Sequence, residues 1–88
     1  MDSVESKVRA IVADISNLPA DMPAQANLYL DLGVASVHAL QLLTELEEQF
    51  GVAIPDDRFV EATSINDLTA LMTGLTQTQA QAKDAAGA

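Results

Sequence analysis

Residues 31–50 read DLGVASVHALQLLTELEEQF and join a glycine turn to a segment with one apolar face. Apolar residues recur along this segment at spacings of three and four, which is the period of an α-helix. They are Ala39, Leu43, Leu46 and Phe50. Gly51 follows, and glycine is common just after a helix C-terminus because it accepts left-handed backbone. The segment therefore predicts a helix that begins near Ser36 and ends at Gly51.

The same helical period occurs on the N-terminal side of this segment. Its apolar positions are Val4, Val8, Ile11, Ile15 and Leu18. They predict a first helix that Pro19 and Pro23 close, since proline cannot continue a helix. The stretch Pro19–Ala35 is long for a loop, and we expect its apolar residues to pack against the core. These residues are Leu28, Tyr29, Leu30 and Leu32.

Two further helices are predicted after Gly51. Ile54–Val60 has a proline at its second position and predicts a short helix. Ser64 and Asp67 have the serine-to-acid spacing of a capping box, and apolar residues follow at helical spacing. Those residues are Leu68, Leu71, Met72 and Leu75. The predicted fold class is all-α, a small four-helix bundle of three longer helices and a short third helix.

The end of the domain is predicted from the point where large apolar residues stop. Residues 1–75 form the helical domain in this interpretation. Residues 76–88 contain Thr, Gln, Ala, Lys, Asp and Gly but no large apolar side chain to bury. We therefore expect them to form a flexible or disordered C-terminal tail.

The composition limits the function classes open to the chain. Thirteen acidic against four basic residues give a net charge of −9 over 88 residues, which disfavours nucleic acid and anionic membranes as partners. There is no cysteine, so disulfides and thiolate metal sites are excluded. No segment approaches the roughly 20 apolar residues of a membrane span. We expect a monomeric, soluble and cytoplasmic protein without membrane insertion.

Ser36 is the candidate modification site because it begins a helix. Backbone N–H groups and the helix dipole favour a phosphate there, although serine is also an ordinary helix cap. We expect His38 to face solvent and not to activate Ser36, since residues two apart on a helix point about 200° apart. Asp56 and Asp57 lie in a predicted first helical turn and lack the spacing of a calcium loop. No catalytic residue and no metal site are therefore predicted.

Four motifs, in this order, resemble the acyl carrier protein family. The first is the turn Asp31–Gly33 followed by Ser36, the serine that carries the prosthetic group in that family. The others are Leu46–Phe50, Ile54–Asp56 and Thr63–Leu68. One such motif is a weak signal, whereas four at matching offsets are a strong one.

The resemblance extends over residues 4–75 and implies both a fold and a function. It implies a four-helix bundle that bears 4′-phosphopantetheine, donated by coenzyme A, on Ser36. It further implies a non-enzymatic role, in which the protein shuttles thioester-linked acyl chains between enzymes of fatty acid, lipid or secondary-metabolite biosynthesis. The implied partners are a phosphopantetheinyl transferase and acyl-loading or acyl-transferring enzymes.

The sequence departs from the family pattern on both sides of Ser36. The preceding residue is Ala35, where the family usually has aspartate, and the following residue is Val37, where it usually has leucine or methionine. The missing carboxylate removes a charge that the modifying transferase of this family engages. We therefore expect modification that is slow or restricted to particular transferases.

One strip of the second helix is predicted to lie opposite its apolar face and to face solvent. It consists of Val37, Gln41, Thr44 and Glu48. In carrier proteins this face is usually acidic and docks basic patches on partner enzymes, whereas a merely solvated face is the alternative. The full candidate docking set is Asp31, Ala35, Val37, Gln41, Thr44, Glu45, Glu47, Glu48 and Asp56.

The resemblance also implies an acyl pocket between the second and third helices. Its residues are Leu46, Ile54, Phe59, Ala62 and Leu68. Taken one at a time, each of them is better explained as an ordinary core residue.

Two other functions remain open on the sequence alone. One is an acidic helical interaction module that keeps the carrier fold without the cofactor, which Ala35 and Val37 would suit. The other is a peptidyl or aryl carrier, although such carriers typically have two adjacent glycines before the serine and Gly33–Ser36 has one. The mass of the native protein distinguishes an interaction module, which has no adduct, from a carrier. Loading assays with acyl and aminoacyl groups distinguish an acyl carrier from a peptidyl or aryl carrier.

Overall fold

The computed structural model describes residues 3–87, with side chains described as far as Thr78. Within those residues there are four α-helices and no strand. The helices are α1 (Val4–Ser16), α2 (Val37–Phe50), α3 (Asp56–Glu61) and α4 (Ile65–Gly87). α1 packs against both α2 and α4, and α3 packs on α4. The predicted all-α four-helix bundle is confirmed.

The first two helices run antiparallel. Near the start of α1, the Lys7 Nζ lies 5.3 Å from the centre of the Phe50 ring, at the end of α2. At the other end, Ile15 lines a surface groove together with Leu40 and Gln41 from the start of α2. The N-terminus of α2 therefore lies beside the C-terminus of α1.

One cluster of buried side chains joins all four helices and the loops between them. Its members are Val8, Val12, Met22, Leu28, Val34, Leu42, Leu46, Ile54, Phe59, Ala62, Ile65, Leu68 and Met72. Val12 and Leu42 are fully buried although they fall outside the predicted apolar stripes. A helix in a bundle buries a face at least about 100° wide, so a single line of residues three and four apart covers only part of it.

Capping decides where α1 ends. Asn17 adopts left-handed backbone with φ of 58° and stops the helix, because asparagine tolerates this region better than most residues. The prediction that Pro19 and Pro23 close the helix is therefore wrong. Leu18 follows the helix and packs against the core from there.

The predicted starts of the last two helices agree closely with the structure. α3 begins at Asp56, directly after Pro55. The start of α4 has the predicted capping interaction, since Ser64 Oγ accepts the Asp67 N–H at 3.1 Å. The Asp67 carboxylate in turn accepts the N–H of Thr63 at 3.3 Å, whereas a capping box would pair it with the N–H of Ser64.

α4 extends well beyond its predicted end. We expected residues 76–88 to be a flexible tail, but the backbone is helical through residue 87, and residue 88 lies outside the described residues. Alanine and glutamine are good helix formers, and lengthening an existing helix needs no new nucleus. A segment without large apolar residues can therefore continue a helix that the core has already fixed.

The long loop between α1 and α2 belongs to the core. The Met22, Leu28 and Val34 side chains are all buried. The Leu28 N–H donates to the Thr63 carbonyl at 2.8 Å, which ties the loop to the segment before α4. From α1, the Arg9 Nη1 donates to the Met22 carbonyl at 2.7 Å. These contacts account for the ordered path of a loop that is unusually long for so small a domain.

Only part of the apolar stretch in this loop packs inward as predicted. Leu28 is buried, and Tyr29 and Leu32 pack against the core, whereas Leu30 is 85% exposed, so its predicted burial is wrong. The Asn27 side-chain oxygen accepts the N–H groups of Tyr29 and Leu30, both at 2.9 Å, and so winds the chain into a tight turn. In a helical turn, residues two apart point about 200° apart, and Leu30 therefore faces away from Leu28.

Candidate functional site

The candidate site begins with the turn that leads into α2. Gly33 has φ of +74°, left-handed backbone that other residues adopt only at a cost. Val34 follows with a buried side chain, which fixes the turn to the core. On the other side of the glycine, Asp31 Oδ2 accepts the Asn27 N–H at 2.9 Å. The backbone that enters α2 is therefore held on both sides of Gly33.

Ser36 precedes α2 with its hydroxyl uncommitted. Its backbone is helical, with φ of −61° and ψ of −25°, whereas a capping serine has extended backbone. Its side chain is exposed and makes no capping hydrogen bond. The interpretation of Ser36 as an ordinary helix cap therefore loses its physical support, and the hydroxyl is accessible to a modifying enzyme.

The left-handed conformation of Gly33 gives a testable expectation. Gly33→Ala should lower the free energy of unfolding by roughly 1 kcal/mol, because left-handed backbone disfavours a Cβ by about that amount. No steric clash contributes, since no atom lies within 4 Å of the added Cβ. Urea denaturation followed by circular dichroism measures the change.

Gly74→Ala is the matched control for that substitution. Gly74 lies inside α4, and its added Cβ would also meet nothing within 4 Å. Alanine favours a helix interior over glycine, so we expect a gain of about 0.5–1 kcal/mol in stability there. A gain of the same sign at Gly33 would show that the turn does not require a left-handed residue.

The exposed face of α2 is neutral near Ser36 and acidic only further along. The predicted strip is exposed in full: Val37, Gln41, Thr44 and Glu48. Leu40, which we did not predict, is 70% exposed on the same side of the helix. The first turn of α2 contains no acidic residue. The carboxylates of α2 therefore begin at Glu45.

Two of the predicted docking acids on α2 make contacts within the fold. Glu47 Oε2 accepts the Ile54 N–H at 2.8 Å and so closes the turn between α2 and α3. Glu45 Oε1 accepts a hydrogen bond from Gln49 Nε2 at 2.9 Å, one turn further along α2. Asp56 is exposed in the first turn of α3, where the helix dipole favours a carboxylate.

His38 lies in a position that the sequence did not predict. We expected it to face solvent, but it is half-buried, and its Nδ1 is shielded from solvent without a hydrogen-bond partner. His38 lies one turn before Leu42, which is fully buried, so its ring follows the edge of the apolar face. The His38 side chain therefore does not provide a solvated general base beside Ser36.

The residues predicted to line an acyl pocket are all buried in the same cluster. They are Leu46, Ile54, Phe59, Ala62 and Leu68. α2, α3, α4 and the turns on either side of α3 contribute them. Phe59 is the one buried side chain within α3, so a single side chain holds that short helix in the core.

The remaining chemistry of the described residues is limited. Burial raises the pKa of the Tyr29 phenol above its ordinary value, so the group is neutral at physiological pH. Among the residues that the structure describes, no group of three or more histidine or acidic side chains is arranged to hold a metal ion. No helix in the same part of the chain combines the length and apolar character needed to cross a membrane.

A comparison with known families agrees with this geometry. Residues 6–72 match the family described as phosphopantetheine attachment site. The match extends from α1 into α4 and includes the turn at Gly33 and the exposed Ser36. Members of this family carry covalently attached 4′-phosphopantetheine and interact with enzymes as carriers. The chain therefore belongs to the phosphopantetheine attachment site family and is a carrier domain of the type found in acyl carrier proteins.

Proposed function

We propose that the chain is an acyl carrier protein that bears 4′-phosphopantetheine on Ser36. In this role it shuttles thioester-linked acyl chains between enzymes of fatty acid, lipid or secondary-metabolite biosynthesis. The observation that carries the proposal is the exposed Ser36 hydroxyl, which makes no capping hydrogen bond and lies within the matched region. When bound, the prosthetic group supplies a flexible arm whose terminal thiol holds acyl groups as thioesters.

The surroundings of Ser36 fit a phosphate-linked group. The helix dipole at the start of α2 favours negative charge there. The first turn of α2 contains no acidic residue that would repel a phosphodiester. Both features support the proposal that Ser36 carries the phosphate-linked group.

The modification needs an acceptor oxygen from this chain and little else. Ser36 Oγ forms a bond to the phosphorus that bears pantetheine in coenzyme A, and the bond from that phosphorus to the adenosine bisphosphate breaks. The adenosine bisphosphate leaves, and the serine proton passes to a base of the transferase. Serine is a weak nucleophile without such a base, and the buried His38 Nδ1 does not provide one. The chain acts as substrate and carrier, not as an enzyme.

The acyl chain is proposed to enter between α2 and α3. The candidate residues there form a continuous apolar cluster: Leu46, Ile54, Phe59, Ala62 and Leu68. α3 is six residues long and inserts only Phe59 into the core, so its displacement disturbs fewer contacts than displacement of a longer helix. An acyl chain that takes the place of the Phe59 ring against the other core side chains keeps the interior filled. This avoids the cost of an empty apolar cavity.

Partner enzymes are proposed to meet the exposed face of α2. The net charge of −9 attracts basic patches at long range and raises the rate of encounter. Glu45, Glu48 and Asp56 are the proposed points of contact for such patches. Glu47 contributes to the same field, although its carboxylate is already bound to the Ile54 N–H.

Mass measurement tests the proposed function directly. After incubation with coenzyme A and a phosphopantetheinyl transferase, the intact protein should gain one phosphopantetheinyl group per chain. Protein from its native cell should carry the same group, in part with an acyl chain attached. If several transferases leave the chain unmodified and the native protein is also bare, the chain is an interaction module without the cofactor. Preferential loading with aminoacyl groups over acyl groups would identify a peptidyl carrier.

A further inference from the structure

A surface groove, the α1–α2 groove, runs between the first two helices. Its main section is lined by Lys7, Ala10, Ile11, Asp14, Glu45 and Gln49. Glu45 also lines the adjoining section, which reaches Ile15 near the end of α1. Lining residues on each helix lie four positions apart, so the groove follows the two helix axes. The α1–α2 groove is therefore a long open channel along both helices.

The floor of the α1–α2 groove is apolar and its rim is acidic. Ile11 and Ile15 are half-buried, one turn apart on α1, and pack against the core with one side only. Ala10 is exposed, and its methyl group leaves room for a side chain from outside. Asp14 from α1 and Glu45 from α2 place a carboxylate on either side of this floor. The groove can therefore bury apolar side chains and hold cations at its edges.

The acidic rim is not neutralised within the fold. Among the residues that the structure describes, no ion pair involves Asp14 or Glu45. Lys7 lines one end of the groove, but its Nζ lies 5.3 Å from the centre of the Phe50 ring. The chain as a whole has a net charge of −9. Away from the Lys7 end, the α1–α2 groove therefore complements a basic partner.

An α-helix is the partner element that fits this groove. Away from the helix ends, the backbone of α1 and α2 is already hydrogen-bonded within each helix, so an extended segment would find no backbone partner there. A third helix needs none, because its side chains pack as ridges into the grooves between rows of residues four apart. An amphipathic helix with basic residues on either side of its apolar face matches the floor and the rim together.

The main section of the α1–α2 groove lies away from Ser36. Glu45 and Gln49 follow Ser36 by nine and thirteen residues, which is about 14–20 Å along α2 at 1.5 Å per residue. Glu45 also belongs to the surface proposed to meet partner enzymes, whereas Ala10 and Asp14 belong to α1. A helix in the main section and an enzyme at Ser36 therefore use different parts of the surface.

We infer that the α1–α2 groove is a docking site for a basic amphipathic helix of a partner protein other than the enzymes that act at Ser36. The apolar face of that helix covers Ile11 and Ile15, and its basic residues pair with Asp14 and Glu45. The site needs no prosthetic group, so it goes beyond the proposed function and does not depend on it. A helix bound there keeps the chain attached to its partner while Ser36 stays accessible.

A synthetic helix of this chemistry tests the site on the full chain. The probe is a peptide of about 14 residues, about 21 Å long as a helix, with leucines at helical spacing and lysines beside them. A scrambled peptide of the same composition is its reference. Calorimetric titration should give a Kd about tenfold lower for the amphipathic peptide, because only that peptide presents one apolar face. Backbone amide shifts in NMR spectra should cluster at residues 10–15 and 45–49.

Two substitutions on α1 test the floor and the rim separately. Ala10→Gln fills the groove, keeps a good helix former at an exposed position and should raise the Kd about tenfold. Asp14→Asn should raise the Kd roughly twofold to fivefold, as for loss of an exposed ion pair, and less at high salt. Ala70→Gln on α4 and Asp57→Asn on α3 are the matched controls at exposed positions, and both should bind as the wild type does. Circular dichroism checks that each variant is folded.

Three results would overturn the inference while the proposed function stands. The first is an equal Kd for the scrambled peptide, and the second is an unchanged Kd in either α1 variant. The third is inhibition of Ser36 modification by saturating peptide, since the peptide would then occupy the surface that the transferase needs. An unchanged rate of modification supports a separate site. A chain that binds the peptide but that no transferase modifies overturns the proposed function alone.

Discussion

Ser36→Ala protein should remain unmodified under conditions in which the wild-type chain gains one phosphopantetheinyl group. The substitution removes the acceptor oxygen and disturbs little else, because the exposed Ser36 side chain makes no capping hydrogen bond. Loss of an ordinary serine cap lowers stability by about 1 kcal/mol. Here we expect a change within about 0.5 kcal/mol, as for other exposed positions. Intact mass and urea denaturation measure the two quantities.

Ser6→Ala is the matched control for this variant. Ser6 is an exposed serine in the first turn of α1, and its hydroxyl accepts a hydrogen bond from Ser3 Oγ at 3.1 Å. Modification of the Ser6→Ala protein should be complete. A full phosphopantetheinyl adduct on Ser36→Ala protein would contradict the assignment of Ser36 and place the acceptor elsewhere.

Local signals in the sequence predict most of the helical framework. Gly51 ends α2 because its backbone is left-handed, and Ser64 begins α4 because its hydroxyl accepts an N–H three residues on. Both effects act within a few residues and are visible in the sequence. The candidate acceptor is predicted in the same way, because Gly33 and Ser36 lie within a few residues of each other and of the start of α2.

Contacts between distant segments could not be predicted from the sequence. Arg9 donates from α1 to the loop carbonyls of Ala20 and Met22, at 2.9 and 2.7 Å, and the residue types at these positions give no sign of it. Glu47 has the negative charge expected of a docking residue, but its carboxylate accepts the Ile54 N–H. The chemical character of a long polar side chain does not reveal whether it meets solvent or a backbone group.

The character of the proposed docking surface was also not predictable in full. The acidic composition favours partners with basic patches, but which charges lie near Ser36 depends on how α2 is rotated against α1. That rotation exposes Leu40 and turns His38 toward the edge of the core. Helical spacing gives the relative angles of residues on α2, whereas packing against neighbouring helices decides which angle faces solvent.

Leu28→Ala is expected to lower the free energy of unfolding by roughly 2–5 kcal/mol, the range for deletion of a fully buried leucine side chain. Leu28 has no exposed surface, although it belongs to the loop between α1 and α2. Its N–H donates to the Thr63 carbonyl and its carbonyl accepts the Val34 N–H, both at 2.8 Å. These bonds hold the backbone in place and limit its collapse into the cavity, which favours the upper part of the range.

Leu30→Ala provides a control two residues away. Leu30 is 85% exposed, so the same deletion should change stability by less than about 0.5 kcal/mol. Urea denaturation of both variants measures the difference, and equal effects would show that the loop is not part of the core.

The consequence of Leu28→Ala should extend to Ser36, the proposed modification site. Val34, which Leu28 binds through its backbone, lies two residues before Ser36 and fixes the turn at Gly33. Under conditions in which the Leu28→Ala protein is still folded, we therefore expect slower modification of Ser36 than in the Leu30→Ala protein. Equal rates of modification in the two folded variants would show that the turn holds its conformation independently of the loop. A slower rate in the Leu28→Ala protein alone would mean that the buried loop positions the acceptor hydroxyl for the transferase.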